Sequence, residues 1–315
     1  MRTSFLIAVY NTDLAILRLC INSALKAAGD EHEVVVVNDA SSRVETCEFL
    51  SRCEASGLDN LKVLRNAENC GVSYSLNKAA DNATGVLYAP VDHDDMLVTQ
   101  GFQYMLRFQN YYGINWAYSN ETQINYKGIP INFMHKPQYD VQLLRSVMYI
   151  NHLQLIPSEL FETVAGYREG FEGSQDHDLA LRMSEHIAPK HVHTVAYLWR
   201  RHDETQSVIS GQIADISIEA SQRALREHFD RLGITAQVTP FYLQPSKTKQ
   251  SQPTGTFISR IVPTKMPNVS IIIPCKLGTT LAIGTTMITV LNHCLHSISP
   301  RLRIVYPLST REQTA

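Results

Sequence analysis

Short apolar runs separated by polar turns recur through the first hundred residues. FLIAVY (5 to 10) has no break, Val34 to Val37 form an uninterrupted β-branched run, and LKVLRN (61 to 66) and GVLYAPV (85 to 91) follow. Runs that do not alternate with polar residues suit strands covered on both faces. Between them the spacing turns helical. Thr12 can cap a helix that carries Leu14, Leu17, Ile21, Ala24 and Leu25 on one face, and GVSYSLNKAADN predicts another. Repeated β-α units predict an α/β fold, a mostly parallel sheet with right-handed crossovers. Further on, HVHTVAYL (191 to 198) reads as a strand, and residues 213 to 232 read as an amphipathic helix.

The polar residues interrupting this pattern gather after strands two, three and four. Asp39 ends the second, Asn69 and Gly71 follow the third, and Asp92, Asp94 and Asp95 follow the fourth. In a parallel sheet these positions all face one crevice at the carboxyl ends of the strands, where ligands bind. Three carboxylates delivered together repel one another unless a cation sits among them, so LYAPVDHDDML (87 to 97) reads as a metal and phosphate site, with a solvated acidic turn as the plain alternative. No G-x-G-x-x-G follows the first strand, which removes the main support for a dinucleotide-binding dehydrogenase.

Composition narrows the class. With 44% hydrophobic and 18% charged residues among 315, the chain can build one large or two small cores. A formal net charge of -2 and a pI near 6.6 argue against a nucleic-acid partner bound through a strongly basic face. The apolar stretch of MRTSFLIAVYN is too short for a signal or a span, and LAIGTTMITVLNHCL (281 to 295) carries three Thr, an Asn and a His, so a cytoplasmic protein is expected. Six cysteines without a C-x-x-C pair disfavour zinc and fit reduced thiols.

Taken in order, SFLIAVYN, VVVVNDASS, RNAENCGVSYSLNKAADNATG and APVDHDDML resemble the nucleotide-sugar-binding half of family 2 glycosyltransferases of the GT-A fold. GFEGSQDHDLALRM and YLWRRHDETQS resemble the acceptor half of bacterial polysaccharide and O-antigen members. The resemblance implies a Rossmann-like GT-A sheet with helices on both faces. It divides the chain into a nucleotide-sugar-binding half (1 to 112), an acceptor half (113 to 210), a helical extension and linker (211 to 265) and a final segment (266 to 315). It implies inverting transfer from a nucleoside-diphosphate sugar to a glycan or lipid-linked glycan, which leaves room for peripheral contact with the inner face of the membrane. The runner-up is an inactive nucleotide-sugar-binding module. A sugar nucleotidyltransferase is disfavoured because AVYNTDL stands where a Gly-rich, basic loop is expected.

By the same resemblance, metal (Mn2+ or Mg2+) and diphosphate fall to Asp92 and Asp94, with Asp95 beside them, and His202 and Arg200 also lie near metal and diphosphate. Asp39 falls on the nucleotide base, with the backbone near Ala8 and Tyr10 lining that pocket, and Asn69, Gly71 and Asn77 pack near the donor. Asp176 is the candidate general base, although Gln175 stands where relatives carry an acid and Asn120 where they often carry Asp. Ser174 or Asp176 equally suits a helix N-cap, Asp178 reads as structural and Trp199 as core.

The tail contains an echo. QPSKTKQSQPTGT (244 to 256) reads as a linker, PNVSIIIPCK resembles a second opening strand, and LNHCLHSIS (291 to 299) pairs with LRLCINSAL (17 to 25). The expectation is an incomplete second repeat, because a whole domain needs on the order of 200 residues.

Overall fold

The structure, a computed structural model, describes residues 1–201, 211–243, 252–261, 270–271 and 303–304. Two compact units divide the chain, Met1–Arg260 and Ile261–Ala315. The first opens with four strands, β1 (Thr3–Val9), β2 (Glu33–Asn38), β3 (Leu61–Arg65) and β4 (Leu87–Pro90). Between them lie α1 (Leu14–Ala28), α2 (Val44–Ala55) and α3 (Gly71–Asp81), of which α2 has no counterpart in the reading of the sequence. Next come β5 (Met96–Leu97), α4 (Thr99–Tyr112), β6 (Ala117–Ile124), β7 (Pro130–Met134), α5 (Val141–Leu144), β8 (Gln154–Pro157) and α6 (Ser158–Thr163). The series continues with α7 (Gln175–Ser184), β9 (Lys190–Arg200), α8 (Gly211–Arg231), β10 (Ala236–Leu243) and β11 (Gln252–Ile261).

One sheet runs in the order β3-β2-β1-β4-β8-β6-β9-β5, with β7 paired to β6. Strands β1 to β4 are mutually parallel, as the apolar runs predict, with Leu6 opposite Val35 and Phe5 opposite Ala89. The second half is mixed: β8 is antiparallel to both β4 and β6, whereas β9 is parallel to β6. Alternate residues of β1 feed two cores. Leu6 and Ala8 join Leu76, Ala79, Leu179 and Phe229 on one face, and Phe5, Ile7 and Val9 join Leu17, Ile21, Phe102 and Met105 on the other. A side-chain period of two, applied to a strand buried on both sides, produces this division. Helix α4 lies so close to β9 that a Cβ on Gly101 would fall 1.9 Å from the Val195 carbonyl oxygen.

Several local expectations shift. Asp13, not Thr12, caps α1, its Oδ1 accepting from the N–H groups of Ala15 and Ile16, while Thr12 is buried. Ser174 stands at the N-cap of α7 but makes no capping bond, because its hydroxyl donates to the Ser217 carbonyl at 2.7 Å. The linker read at 244 to 256 ends in structure, since β11 begins at Gln252 and pairs with β10. Of the second unit, strands β12 (Ser270–Ile271) and β13 (Arg303–Ile304) are described and pair in parallel. The rest of the supposed repeat, including Cys275 and Cys294, lies outside the described residues.

Candidate functional site

A cavity of about 150 Å³ opens at the carboxyl ends of β1, β2 and β4. Ala8, Tyr10, Asp39, Asp92 and Asp94 line it together with Val72 and Leu76. Residues separated by more than fifty positions in sequence meet here because parallel strands deliver their following turns to one edge.

On one side of the cavity, Asp39 is buried at 3% exposure and bound three times. Its Oδ1 accepts from Cys70 N–H at 2.8 Å and Asn66 Nδ2 at 2.7 Å, and its Oδ2 accepts from Gly71 N–H at 2.8 Å. Gly71 has φ +87°, the left-handed region that glycine enters without strain, and this turns its N–H onto the carboxylate. Asp39 thereby ties β2 to the start of α3. Asn69 is exposed in the same loop. Asn77 is not among the residues lining the cavity; its amide donates to the Tyr167 carbonyl and accepts from the Tyr167 N–H.

On the other side, the acidic turn after β4 splits into different environments. Asp92 has a half-exposed side chain, Asp94 is partly covered and Asp95 is 1% exposed. Burial, followed by the charges of Asp92 and Asp94, raises the Asp95 carboxyl well above the ordinary range. Its Oδ1 accepts from the Arg200 N–H at 2.6 Å, and its Oδ2 has no partner among the described residues. The Arg200 guanidinium is buried behind this turn, donating to the carbonyls of Asp94, Asn125 and Tyr126 at 2.8, 3.2 and 2.9 Å. Trp199 is partly buried against the core, with the Arg201 guanidinium 5.2 Å from its ring centroid. His202 lies outside the described residues.

No motif marks the groups that hold Asp92. The His152 Nε2 lies 3.4 Å from Asp92 Oδ2, and its ring stacks on Tyr197 with centroids 4.7 Å apart. The His152 N–H donates to Glu121 Oε2 at 2.7 Å, and Lys136 Nζ donates to the same oxygen at 3.0 Å. Burial opposes the His152 charge, yet Asp92 and Glu121 override it and hold the imidazole well above its ordinary value. Burial lowers Lys136 to about 8 despite Glu121. Tyr197 adds a direct tether, its hydroxyl oxygen accepting from Asp92 N–H at 3.0 Å.

Asp176 sits in the first turn of α7 and feels the same group of charges. Burial and then the charge of Asp92 raise its carboxyl to about 6, partly offset by His152 and by Asn151, whose Nδ2 donates to Asp176 Oδ2 at 2.7 Å. Two residues on, Asp178 is fully buried and paired to Arg168 and Arg182, a lock across the core. Asn120, buried in β6, accepts from the Lys136 N–H at 2.9 Å and lies 2.8 Å from His191 Nε2.

As to a metal, no group of three or more His, Cys, Asp or Glu side chains among the described residues is arranged to hold an ion. Asp92 and Asp94 supply hard oxygen donors at the cavity, and their charge already raises the proton affinity of Asp95. Two carboxylates completed by substrate phosphate oxygens and water suit Mg2+, and Mn2+ shares the preference for oxygen, so the donor set fits such an ion only together with a phosphate ligand.

Residues 4–162, about half of the chain, match the sequence profile of glycosyl transferase family 2, and the protein belongs to that family. It is similar to the O-antigen biosynthesis protein RfbC of Myxococcus xanthus, at 28% identity over 87% of this chain and 20% of the relative. It also resembles the chondroitin synthase of Escherichia coli, at 26% identity over 73% of this chain and 33% of that protein. The chain thus spans between a fifth and a third of the length of these relatives. Among solved structures, S. aureus TarS 1–349 in complex with UDP-GlcNAc superposes with a TM-score of 0.53 at 18% identity, covering 73% of each chain. This likeness, with the curled, mostly parallel sheet, establishes the GT-A fold.

Proposed function

We propose that this chain is an inverting, metal-dependent glycosyltransferase that moves a sugar from a nucleoside-diphosphate donor to a growing bacterial surface glycan. The observation that carries the reading is the shared cavity of Asp39, Asp92 and Asp94, with Asp176 electrostatically joined to it through Asp92. Asp39, with the backbone of Ala8 and Tyr10, forms the nucleotide-base end, and Asn69 and Gly71 the loop beside it. Asp92 and Asp94 would hold Mn2+ or Mg2+, and His202 would complete the set. A divalent ion there offsets the charge that develops on the leaving diphosphate; two unit charges about 4 Å apart at an effective dielectric near 20 interact by about 4 kcal/mol, roughly a thousandfold in rate.

Asp176 removes the proton from the acceptor hydroxyl as that oxygen attacks the anomeric carbon. A carboxyl poised near 6 is basic enough to assist and is still ionised at neutral pH. Arg200 acts from behind the turn, its guanidinium donating to the Asp94 carbonyl and its backbone N–H to the Asp95 carboxylate. Residues 1 to 112 serve as the donor half, 113 to 210 as the acceptor half, 211 to 265 as a helical extension and linker, and 266 to 315 as the start of a second repeat.

Relatives named for O-antigen biosynthesis and chondroitin synthesis support a glycan acceptor, and the TarS complexes with UDP and UDP-GlcNAc support a nucleotide-sugar donor. No helix among the described residues is long and apolar enough to cross a membrane. We place the enzyme in the cytoplasm, meeting lipid-linked acceptors peripherally at the inner membrane face. Nucleoside-diphosphate release from a panel of nucleotide sugars, with Mn2+ and then with EDTA, tests the proposal. Release that EDTA abolishes and Mn2+ restores is expected. Donor binding without release would instead make the chain an inactive nucleotide-sugar-binding module.

A further inference from the structure

Behind Asp176 runs a line of hydrogen bonds with only one self-consistent polarity. The indole N–H of Trp116, which can donate but not accept, is fully buried and donates to Gln154 Oε1 at 2.9 Å. With its carbonyl so engaged, Gln154 presents its amide hydrogens to Asn151, and Nε2 donates to Asn151 Oδ1. Asn151 must then turn its own NH2 outward, where Nδ2 donates to Asp176 Oδ2 at 2.7 Å. The orientations of both amides, ordinarily interchangeable, are fixed by the one residue at the base of the line that has no alternative.

We propose that Trp116, Gln154 and Asn151 form a directional positioning relay that keeps a hydrogen-bond donor aimed at one oxygen of Asp176 and leaves its other oxygen for the acceptor hydroxyl. Gln154 and Asn151 are positioning residues, since they reach the reaction only through Asp176. The relay also registers Asp176 against Asp92, because the next residue in the chain, His152, is the one that holds Asp92. A single dipeptide between β6 and β8 therefore spaces the two carboxylates that must act on opposite sides of one sugar. The inference rests on the reading of Asp176 as general base.

The charged and titratable groups facing Asp176 are Asp92 from the turn after β4, His152 from the segment before β8 and Tyr167 from the loop after α6. None is altered by changes within the relay. In Gln154→Glu the ionised side chain has no hydrogen to offer. It accepts from Trp116 and from a reversed Asn151, so the Asn151 carbonyl meets Asp176 lone pair to lone pair. Asn151→Ala removes the donor alone, and Trp116→Phe keeps the ring in the core but releases the anchor.

The test is the titration of Asp176 in the intact chain, followed by ¹³C NMR of the aspartate carboxyl carbons and assigned by its loss in Asp176→Asn. The wild-type midpoint is expected near 6. It should rise by about one unit in Asn151→Ala, because a donor that favoured the ionised form is gone, and by more in Gln154→Glu, whose new carboxylate adds a like charge. Trp116→Phe, screened by its melting curve, gives a smaller rise and guards against a fold-disrupting effect of the new Glu. An unchanged midpoint in Asn151→Ala and Trp116→Phe overturns the relay. With the donor returned by the nucleotide-sugar panel, kcat falls about tenfold or more in Asn151→Ala while the donor KM holds. If Asp176→Asn itself turns over normally, the general-base reading fails, whereas the NMR shift still reports on the relay.

Discussion

Asp39, in the wall of the cavity, and Asp176, outside its lining but coupled to it through Asp92, are held in opposite ways. Asp39 takes three hydrogen bonds, two of them from the backbone at the entry to α3, all supplied within the continuous stretch from Asn66 to Gly71. Asp176 takes one, from a side chain of another element, and is buried and beside the like charge of Asp92. The first arrangement makes the carboxylate a fixed part of the wall. The second keeps the group reluctant to ionise, as a proton acceptor in catalysis requires.

This contrast can be broken experimentally. The largest effect is expected at Asp92 and Asp94, where Asn substitutions should lower metal-dependent turnover roughly a thousandfold, seen in nucleoside-diphosphate release at saturating donor. Next is Asp178, two residues from Asp176 but buried between Arg168 and Arg182. Asp178→Asn strands partly buried guanidinium groups, and denaturant unfolding should show a loss of about 3–5 kcal/mol. A smaller loss, about 1.5–3 kcal/mol, is expected for Asp39→Asn, which weakens charge-assisted bonds to the Asn66–Gly71 loop. Calorimetry should show weaker nucleotide binding in that variant, with kcat in saturating donor little altered.

The mildest perturbation is pH itself. The Asp176 carboxyl titrates near 6, above its ordinary value, and a base must be ionised to act. Activity should therefore be full above about pH 7 and fall toward tenfold per unit below 6, with the loss traced to kcat. A limb that stayed flat down to pH 5 would count against Asp176 as the base.

The parallel half of the fold was legible because buried strands carry their signature in consecutive residues. FLIAVY and VVVV announce β1 and β2, and Tyr10 and Asp39 at their ends line the cavity. The mixed half was opaque for a physical reason. Strand β6 buries Asn120, Glu121 and Gln123, and β8 buries Gln154, so hydrogen bonding rather than hydrophobic alternation covers these strands. That polar interior holds the partners of the site. His152, Glu121, Lys136 and Asn151 have no local motif, since each matters through a contact with a residue far along the chain. Asp176 could be found through the resemblance, yet the groups that orient it could not. Asn77 and Arg200, selected through the resemblance, prove to be engaged mainly by backbone groups.

The most direct measurement compares wild type with Asp176→Asn for both donor binding and turnover, using calorimetry and nucleoside-diphosphate release with Mn2+ on the same preparations. If these carboxylates form one sugar-transfer cleft, binding stays within about twofold while kcat drops about 100-fold to 10,000-fold. Near-normal turnover, or a loss confined to binding, would contradict it.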